Sequence, residues 1–298
     1  MTHPYAALRG SYTALISPFS AEGALDIAAF EALVEWQVNE GIHGLVPCGT
    51  TGESPTLSHE EHKLLIERTV KVANGRVPVM AGAGSNSTAE AIDFVTHAEK
   101  AGASSALIVA PYYNKPTQEG LFAHYQAIAN STALPIIVYN IPGRSVVNIT
   151  DATLARLAEA CPNIAGVKDA TGDLARVSTL RALVGDRLAL FSGEDMTAVG
   201  FNAMGGQGVI SVTSNIAPRK VAEIQNLSLA GKFAEALAAH EPLVNLHQSM
   251  FLETNPVPVK YAASLLGKCR PDVRLPLVAC SSATQQAVKT AMQHTGLV

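Results

Sequence analysis

Short apolar runs alternate with longer segments of helical period along most of this chain. Eight runs are predicted to be strands, at residues 13–17, 44–48, 77–81, 106–110, 135–139, 165–168, 189–192 and 208–212. They are apolar on both faces, as the strands of a buried parallel sheet are. The segments between them carry helical spacing, such as Ile27, Phe30, Leu33 and Val34 on one face.

This alternation predicts the fold class. Eight βα units in about 215 residues fit an α/β fold of the (β/α)8 TIM-barrel type better than an open sheet. No strand pattern follows residue 217, and residues 231–249 and 281–294 are predicted to be appended helices. We therefore expect a catalytic barrel over residues 1–225 and a C-terminal helical region, packed on the barrel, over residues 226–298.

Helix starts are marked by polar side chains. Ser58 stands three residues before Glu61, which is capping-box spacing, and Thr150 precedes an amphipathic stretch. An alanine-rich segment at residues 88–101 is also predicted to be a helix. These signals support the division of the barrel into βα units.

Composition excludes several classes of partner. The chain has 298 residues, 48% of them apolar, and a net charge of −4 without a basic run. These values argue against nucleic acid and anionic membranes as partners. No apolar stretch approaches the length of a membrane span, and residues 1–9 lack the apolar core of a signal peptide. The four cysteines are scattered, so we expect reduced thiols in a cytoplasmic protein.

The barrel prediction directs attention to the C-terminal ends of the strands, where such barrels carry their active sites. These ends hold residues 49–53, 111–114, 139–144, 168–169 and 192–195. Lys168 is the most informative of them, because an apolar strand ends there on a charge. A poorly solvated lysine amine can form a Schiff base with a carbonyl substrate. The alternative is a lysine that extends from the strand end into solvent.

Three further features lie at the same predicted end of the barrel. Thr50 and Thr51 stand in a glycine turn that can hold a carboxylate, or that is an ordinary turn. Tyr139 can pass protons to a bound intermediate, or can pack on a loop as a rim aromatic. Arg144 can bind a substrate carboxylate, or can be solvated like most loop arginines.

Two other motifs point to no site. Residues 81–87 are glycine-rich but lack the third glycine of a dinucleotide loop and the acidic residue that follows it. His59 and His62 do not have the spacing of a zinc-binding helix. A solvated helix face is the favoured interpretation of these two histidines.

In combination, these motifs resemble the dihydrodipicolinate synthase / N-acetylneuraminate lyase family of class I aldolases. The resemblance runs from residues 10–14 to residues 274–276 and rests on the segments 49–53, 139–144 and 166–172. Within the family, the chain is most similar to members that condense pyruvate with L-aspartate-4-semialdehyde in lysine (diaminopimelate) biosynthesis. Sialic-acid lyases typically lack an arginine at the position of Arg144. The resemblance implies a lyase that needs no metal and no cofactor beyond its own lysine.

The resemblance also implies residue roles. Lys168 would form the Schiff base with pyruvate, and a proton relay would run through Thr50, Tyr113 and Tyr139. A neighbouring subunit would supply Tyr113. The family is usually a homotetramer built as a dimer of dimers, which the resemblance implies here as well. The remaining substrate contacts are implied as Thr51 for the pyruvate carboxylate, Arg144 for the semialdehyde carboxylate, and Gly193 and Ile210 for the pocket wall.

A regulatory site is implied in the same way. The positions matching the family's L-lysine inhibition site are Ser54, His59, His62, Asn86, Glu90 and Tyr112. Pro55 departs from the small residue often found beside it. We therefore expect feedback inhibition by L-lysine.

Two rival functions remain open at this level. Another pyruvate aldolase on the same scaffold would cleave a sugar acid or hydroxy-oxo acid. A catalytically silent barrel would only bind a small acid or a protein partner. The first shares Lys168, Tyr139 and the 49–53 turn, so only the second substrate distinguishes it.

Overall fold

A closed barrel of parallel strands forms the centre of the protein. The computed structural model describes Tyr5 and residues 7–298, and the predicted absence of a signal-peptide core falls partly on residues 1–4 and 6, which lie outside the described residues. In the described part there are eight strands: β1 Gly10–Ala14, β2 Gly44–Val46, β3 Met80–Gly82, β4 Ser105–Val109, β5 Ile136–Asn140, β6 Ile164–Asp169, β7 Ala189–Ser192 and β8 Gly208–Ser211. Their order is β2-β1-β8-β7-β6-β5-β4-β3, and a parallel bridge between Leu45 and Val79 joins the two ends.

Helices surround this barrel. They are α1 Ile27–Asn39, α2 His59–Ala73, α3 Thr88–Ala101, α4 Gln118–Ala129, α5 Pro142–Ser145, α6 Asp151–Ala160, α7 Ala175–Val184, α8 Ala198–Ala203, α9 Pro218–Leu229, α10 Phe233–His240, α11 Val244–Ser249, α12 Val257–Leu265 and α13 Ser282–His294. Strands and helices alternate through α9, and α10–α13 follow, which confirms the TIM barrel with appended helices. No helix among the described residues is long and apolar enough to cross a membrane.

Two apolar layers stabilise the barrel. The inner layer fills its interior and includes Tyr12, Met80 and Phe191. The outer layer lies between the sheet and the helices and includes Leu65 and Ile108. Because side chains alternate between the two layers along each strand, the fold dictates which residues face the barrel interior.

Two predicted strands were placed incorrectly. The first is β1 at Gly10–Ala14 instead of 13–17, because the Leu15 amide makes the last bond to β2, at the main-chain oxygen of Val46, and the Ile16 amide donates to the side chain of Asn215. The third is β3 at Met80–Gly82 instead of 77–81, since Pro78 has no amide to donate to a ladder. Leu15, Ile16 and Val79 are buried although they lie outside the strands.

The helices agree with the predictions in the barrel and differ from one of them in the C-terminal region. Helix α3 has the predicted limits, and Ser58 and Glu61 form the predicted capping box. The segment 231–249, predicted to be helical, contains two helices, because a 3-10 turn at Glu241–Leu243 separates α10 from α11. Pro242 lies in this turn and cannot supply an amide to a continuous helix.

Candidate active site

A bulge in β6 turns Lys168 into the barrel. The register between β5 and β6 shifts by one residue beside Ala165. Ala165 lies in the inner layer and Val167 in the outer layer, so the extra residue reverses the alternation and directs Lys168 inward. Gly166 fits here because a Cβ atom would lie 2.4 Å from the carbonyl oxygen of Ala189.

Lys168 and Tyr139 are adjacent at the C-terminal end of the barrel. Their Cα atoms pair in register on β6 and β5, and Lys168 Nζ lies 4.1 Å from the centroid of the Tyr139 ring. Lys168 is 6% exposed and Tyr139 is 5% exposed. In the described part of the chain, Nζ has no hydrogen-bond or ion-pair partner. The amine is therefore enclosed beside a phenol and is not tied to a carboxylate.

The carboxylate next to Lys168 in sequence is engaged elsewhere. Asp169 points to the outer side of β6, where its Oδ2 lies 2.9 Å from Nε of Arg176. Arg176 also lies 2.8 Å from Asp151, a carboxyl whose pKa is raised by burial. This outer cluster offsets the charge of Asp169 on the side of β6 that faces away from Lys168.

The turn after β2 brings the two threonines to the same end of the barrel. Thr51 is buried, and its Oγ1 accepts a hydrogen bond from Nδ2 of Asn255 at 3.0 Å. Thr50 and Tyr139 line one small cavity of about 30 Å³. The backbone of the turn is tight, since Glu53 has a φ of 54°. A hydroxyl therefore lies on the same cavity wall as the phenol.

Arg144 lies at the opening of a second cavity. It belongs to the single-turn helix α5, and its Nη2 donates to the main-chain oxygen of Asn255 at 3.2 Å. Arg144 and Thr50 both line a larger cavity of about 490 Å³. An exposed guanidinium at the opening of a cavity is suited to bind a substrate carboxylate.

The two residues expected on the pocket wall, Gly193 and Ile210, lie in different surroundings. Ile210 is fully buried in the inner layer. Gly193 directly follows β7, and its amide donates to the main-chain oxygen of Asp169, the last residue of β6, at 2.6 Å. A Cβ atom at Gly193 would lie 2.6 Å from the Cβ of Ala170, so a larger residue would push against the strand end that carries Lys168.

Tyr113 is the predicted relay residue that this chain does not bring to its own site. Its side chain is 90% exposed, and its φ of 72° lies in the left-handed region. It does not line either cavity described above. The loop after β4 presents this phenol outward.

The residues expected to bind L-lysine form a continuous wall. Five of the six line the cavity of about 490 Å³: Ser54, His59, His62, Glu90 and Tyr112. The sixth, Asn86, lies behind the wall and donates from Nδ2 to Tyr112 O at 3.3 Å. The cavity therefore extends from Arg144 to this group, and the two predicted sites are neighbours.

The charges on this wall are defined by local contacts. Glu90 accepts one hydrogen bond from the Ser85 hydroxyl and pairs with His59 at 2.7 Å. The bond from Ser85 is the largest cause of the lowered pKa of Glu90. Burial lowers the pKa of His62 to about 4, and its ring stacks on Phe94 with centroids 4.0 Å apart. The wall thus presents one ionised carboxylate and one neutral imidazole.

Three residues near the site were not singled out from the sequence. Asn255 and Lys260 come from the C-terminal region, and the sequence signal for Lys260 is a charge within the apolar helix α12. Glu194 follows Gly193, and burial raises its pKa, while the positive charges of Lys168 and Arg144 oppose that rise. The described residues contain no group of three or more side chains suited to hold a metal, and the absence of a cofactor stays a prediction.

Comparison with known proteins gives one consistent result. A model described as the dihydrodipicolinate synthetase family matches residues 7–295. The chain is 57% identical over 290 residues to the 4-hydroxy-tetrahydrodipicolinate synthase of Afipia carboxidovorans, covering 97% of each chain.

Two solved structures superpose closely on this chain. One is the chloride-inhibited dihydrodipicolinate synthase from Acinetobacter baumannii complexed with pyruvate (TM-score 0.96, 43% identity, 98% of this chain and 100% of that chain). The other is the enzyme from Cyanidioschyzon merolae with lysine bound (TM-score 0.94, 37% identity, 98% and 99%).

Proposed function

Because this chain belongs to the dihydrodipicolinate synthetase family, we propose that it condenses pyruvate with L-aspartate-4-semialdehyde through a Schiff base on Lys168. Its activity is that of a 4-hydroxy-tetrahydrodipicolinate synthase, a lyase of the class I aldolase type in lysine and diaminopimelate biosynthesis. An aldolase acting on sugar acids is not favoured, since relatives of 55–57% identity share the synthase activity. A cytoplasmic location remains a prediction from the dispersed cysteines.

The observation that carries the proposed mechanism is the enclosed pair of Lys168 and Tyr139. The amine of Lys168, once it has lost a proton, attacks the ketone carbon of pyruvate, and the carbinolamine loses water to give an iminium. The iminium accepts the electron pair of the C3–H bond as a proton leaves, which gives an enamine. The enamine carbon then attacks the aldehyde, and the amino group of the semialdehyde closes the ring and releases Lys168.

The surrounding residues assist these reaction steps. Tyr139 and Thr50, which share a cavity wall, move protons to and from the nitrogen and oxygen that change charge. Thr51 binds the pyruvate carboxylate, and Arg144 binds the carboxylate of the semialdehyde at the entrance. Gly193 and Ile210 bound the space beside the Schiff base.

Reductive trapping tests the central step. Incubation with pyruvate and borohydride should add one reduced pyruvate adduct per chain, and peptide mapping should locate it on Lys168. The variant Lys168→Ala should take no label, whereas Lys220→Ala, at an exposed lysine of α9, should be labelled like the wild type. An unlabelled wild-type protein would contradict the proposed function. Labelling without product from the semialdehyde would support a different aldolase.

We further propose that L-lysine inhibits this enzyme from the wall formed by Ser54, His59, His62, Glu90 and Tyr112, with Asn86 behind it. The ionised carboxylate of Glu90 suits the ammonium of an amino acid. The variant Glu90→Gln keeps the shape and removes the charge, so the lysine concentration for half inhibition should rise about tenfold. Glu119→Gln, at an exposed ion pair, is the control. Unchanged inhibition in Glu90→Gln would exclude this site.

A homotetramer built as a dimer of dimers is part of the same proposal. The support within this chain is Tyr113, an almost fully exposed aromatic held with a φ of 72° in the loop after β4. A phenol presented to solvent in this way serves catalysis only in the site of another subunit. The proposed relay is thus completed between two chains.

A further inference from the structure

Asn255 lies between the two residues that the proposed function uses to bind carboxylates. Its side-chain Nδ2 donates to Thr51 Oγ1 at 3.0 Å, and its main-chain oxygen accepts from Arg144 Nη2 at 3.2 Å. It comes from the segment between α11 and α12, far along the chain from both. One residue of the C-terminal region therefore joins the two halves of the substrate site.

The side chain of Asn255 is poorly explained by fold stability. It is 5% exposed, and its Oδ1 has no hydrogen-bond partner among the described residues. A buried polar atom left without a partner costs about 1–3 kcal/mol, and this oxygen contributes no contact that offsets the cost within the fold. A buried amide held at such a cost is typical of a functional site.

The direction of the hydrogen bond to Thr51 has a chemical consequence. A threonine hydroxyl has one hydrogen to donate and two lone pairs to accept with. Because Thr51 Oγ1 accepts from Asn255, its own hydrogen is free to donate elsewhere. A carboxylate can only accept hydrogen bonds. Asn255 thus leaves Thr51 in the orientation that a bound carboxylate requires.

We propose that Asn255 is a positioning residue, whose amide orients the Thr51 hydroxyl toward the pyruvate carboxylate and whose main-chain oxygen holds Arg144 at the entrance. This inference rests on the proposed function, because it takes Thr51 and Arg144 as the carboxylate receptors. It adds a role for the C-terminal region, which supplies a contact within the substrate site.

A second contact keeps this segment in place independently of the Asn255 side chain. Lys260, five residues further on in α12, is bonded to Glu53 at 2.7 Å and to the main-chain oxygen of Ser17 at 2.8 Å. The segment is therefore anchored to the 49–53 turn without the amide. Truncation of Asn255 should leave the fold intact and remove only the orienting contact.

The test measures pyruvate affinity with and without the amide. In Asn255→Ala, the KM for pyruvate should rise about tenfold, as expected for one lost hydrogen bond. The KM for the semialdehyde should change less, since the main-chain contact to Arg144 remains. In Asn255→Asp, the KM for pyruvate should rise further, by about a hundredfold. The new carboxylate makes the Thr51 hydroxyl donate toward it and repels the pyruvate carboxylate.

A double-mutant cycle separates positioning from general damage. In a Thr51→Val background, which lacks the hydroxyl, adding Asn255→Ala should change the pyruvate KM by less than about twofold. Thr51→Ser keeps the hydroxyl and should retain the full effect. The concentration of pyruvate that gives half-maximal borohydride labelling provides a second readout that needs no semialdehyde.

The outcomes are distinct. A wild-type pyruvate KM in Asn255→Ala, or an equal penalty in the Thr51→Val background, would overturn the inference while leaving the Schiff-base function in place. An unlabelled wild-type protein would overturn both. A melting temperature close to that of the wild type, with a raised KM for pyruvate alone, is the result that supports it.

Discussion

The ammonium of Lys260 lies 2.7 Å from a carboxylate oxygen of Glu53, and both side chains are buried. The ammonium also lies 4.1 Å from the centroid of the Phe19 ring, and the second oxygen of Glu53 accepts from the Arg274 amide at 3.0 Å. Burial lowers the pKa of Lys260, and Glu53 opposes this shift. The pair connects the turn after β2 to helix α12.

Breaking this pair should strongly destabilise the protein. In Glu53→Gln, the ammonium of Lys260 stays buried without its counter-ion, and the free energy of unfolding should fall by about 3–5 kcal/mol. The double variant Glu53→Gln/Lys260→Met should lose less than the sum of the single changes, since no charge is left unpaired. Urea unfolding measures these differences.

An exposed ion pair provides the control. Glu31 and Arg68 lie 3.2 Å apart with both side chains partly in solvent, so Glu31→Gln should cost less than about 1 kcal/mol. If Glu53→Gln lost no more stability than Glu31→Gln, the buried pair would not anchor the turn.

The bulge in β6 makes a separate prediction. In Gly166→Ala, the new methyl group would lie 2.4 Å from the Ala189 carbonyl oxygen, so β6 must move relative to β7. A shift of about 1 Å at Lys168 should slow borohydride trapping of pyruvate by about a hundredfold. Gly143→Ala meets no atom within 4 Å and should label at the wild-type rate. Trapping at the wild-type rate in Gly166→Ala would show that the bulge does not set the position of Lys168.

The barrel was predictable because its strands and helices repeat a local pattern. Apolar runs of strand length and helices of 3.6-residue period recur in order, and the capping box at Ser58 is visible within four residues. The limits of β1 were not predictable, because Ile16 is buried like a strand residue although its amide donates to the side chain of Asn215 and not to a neighbouring strand. Local sequence does not contain the pairing that ends a strand.

The site was predictable in part for the same reason. TIM-barrel active sites lie at the C-terminal ends of the strands, and this rule points to Lys168, Tyr139 and Thr50, which lie at such ends or directly after one. Asn255 reaches the site only through tertiary contacts with residues far away in sequence. The bulge also depends on the register with β5. Neither feature has a periodic signal that sequence inspection can recognise.

Two buried histidines predict a loss of stability in acid. Burial lowers the pKa of His62 and of His124 to about 4, from an ordinary value of 6.5. Between these values the unfolded chain binds protons that the folded protein excludes, so stability rises with pH and falls as pH drops below about 6.5. Each histidine should contribute a slope of about 1.4 kcal/mol per pH unit in this window.

Urea unfolding at pH 7 and pH 5 checks this slope. His124→Asn retains a polar partner for Thr88, which lies 2.9 Å from the imidazole, and removes one titrating group. The pH dependence should then shrink by up to about 1.4 kcal/mol per pH unit. His294→Gln, at an exposed position of α13, should leave the slope unchanged. A slope in His124→Asn equal to that of the wild type would contradict the assignment.

Tyr113 permits a test of a site shared between subunits. If Tyr113 serves the neighbouring site, a mixed dimer of Lys168→Ala and Tyr113→Phe chains contains one complete site, because the Lys168→Ala chain lends its phenol to the other. Each variant alone should lose about a hundredfold or more in kcat. After unfolding and refolding as an equal mixture, random pairing should restore about a quarter of the wild-type activity.

The matched control pairs Lys168→Ala with Tyr139→Phe. Tyr139 lies 4.1 Å from Lys168 within one chain, so a mixed dimer of these variants holds no complete site and should stay inactive. Recovery in the Tyr113 mixture alone therefore requires that the phenol crosses between chains. If the Tyr113 mixture gave no more than the sum of its separate variants, the exposed loop after β4 would not complete a neighbour's relay. The proton transfers would then rest on Tyr139 and Thr50 of the same chain.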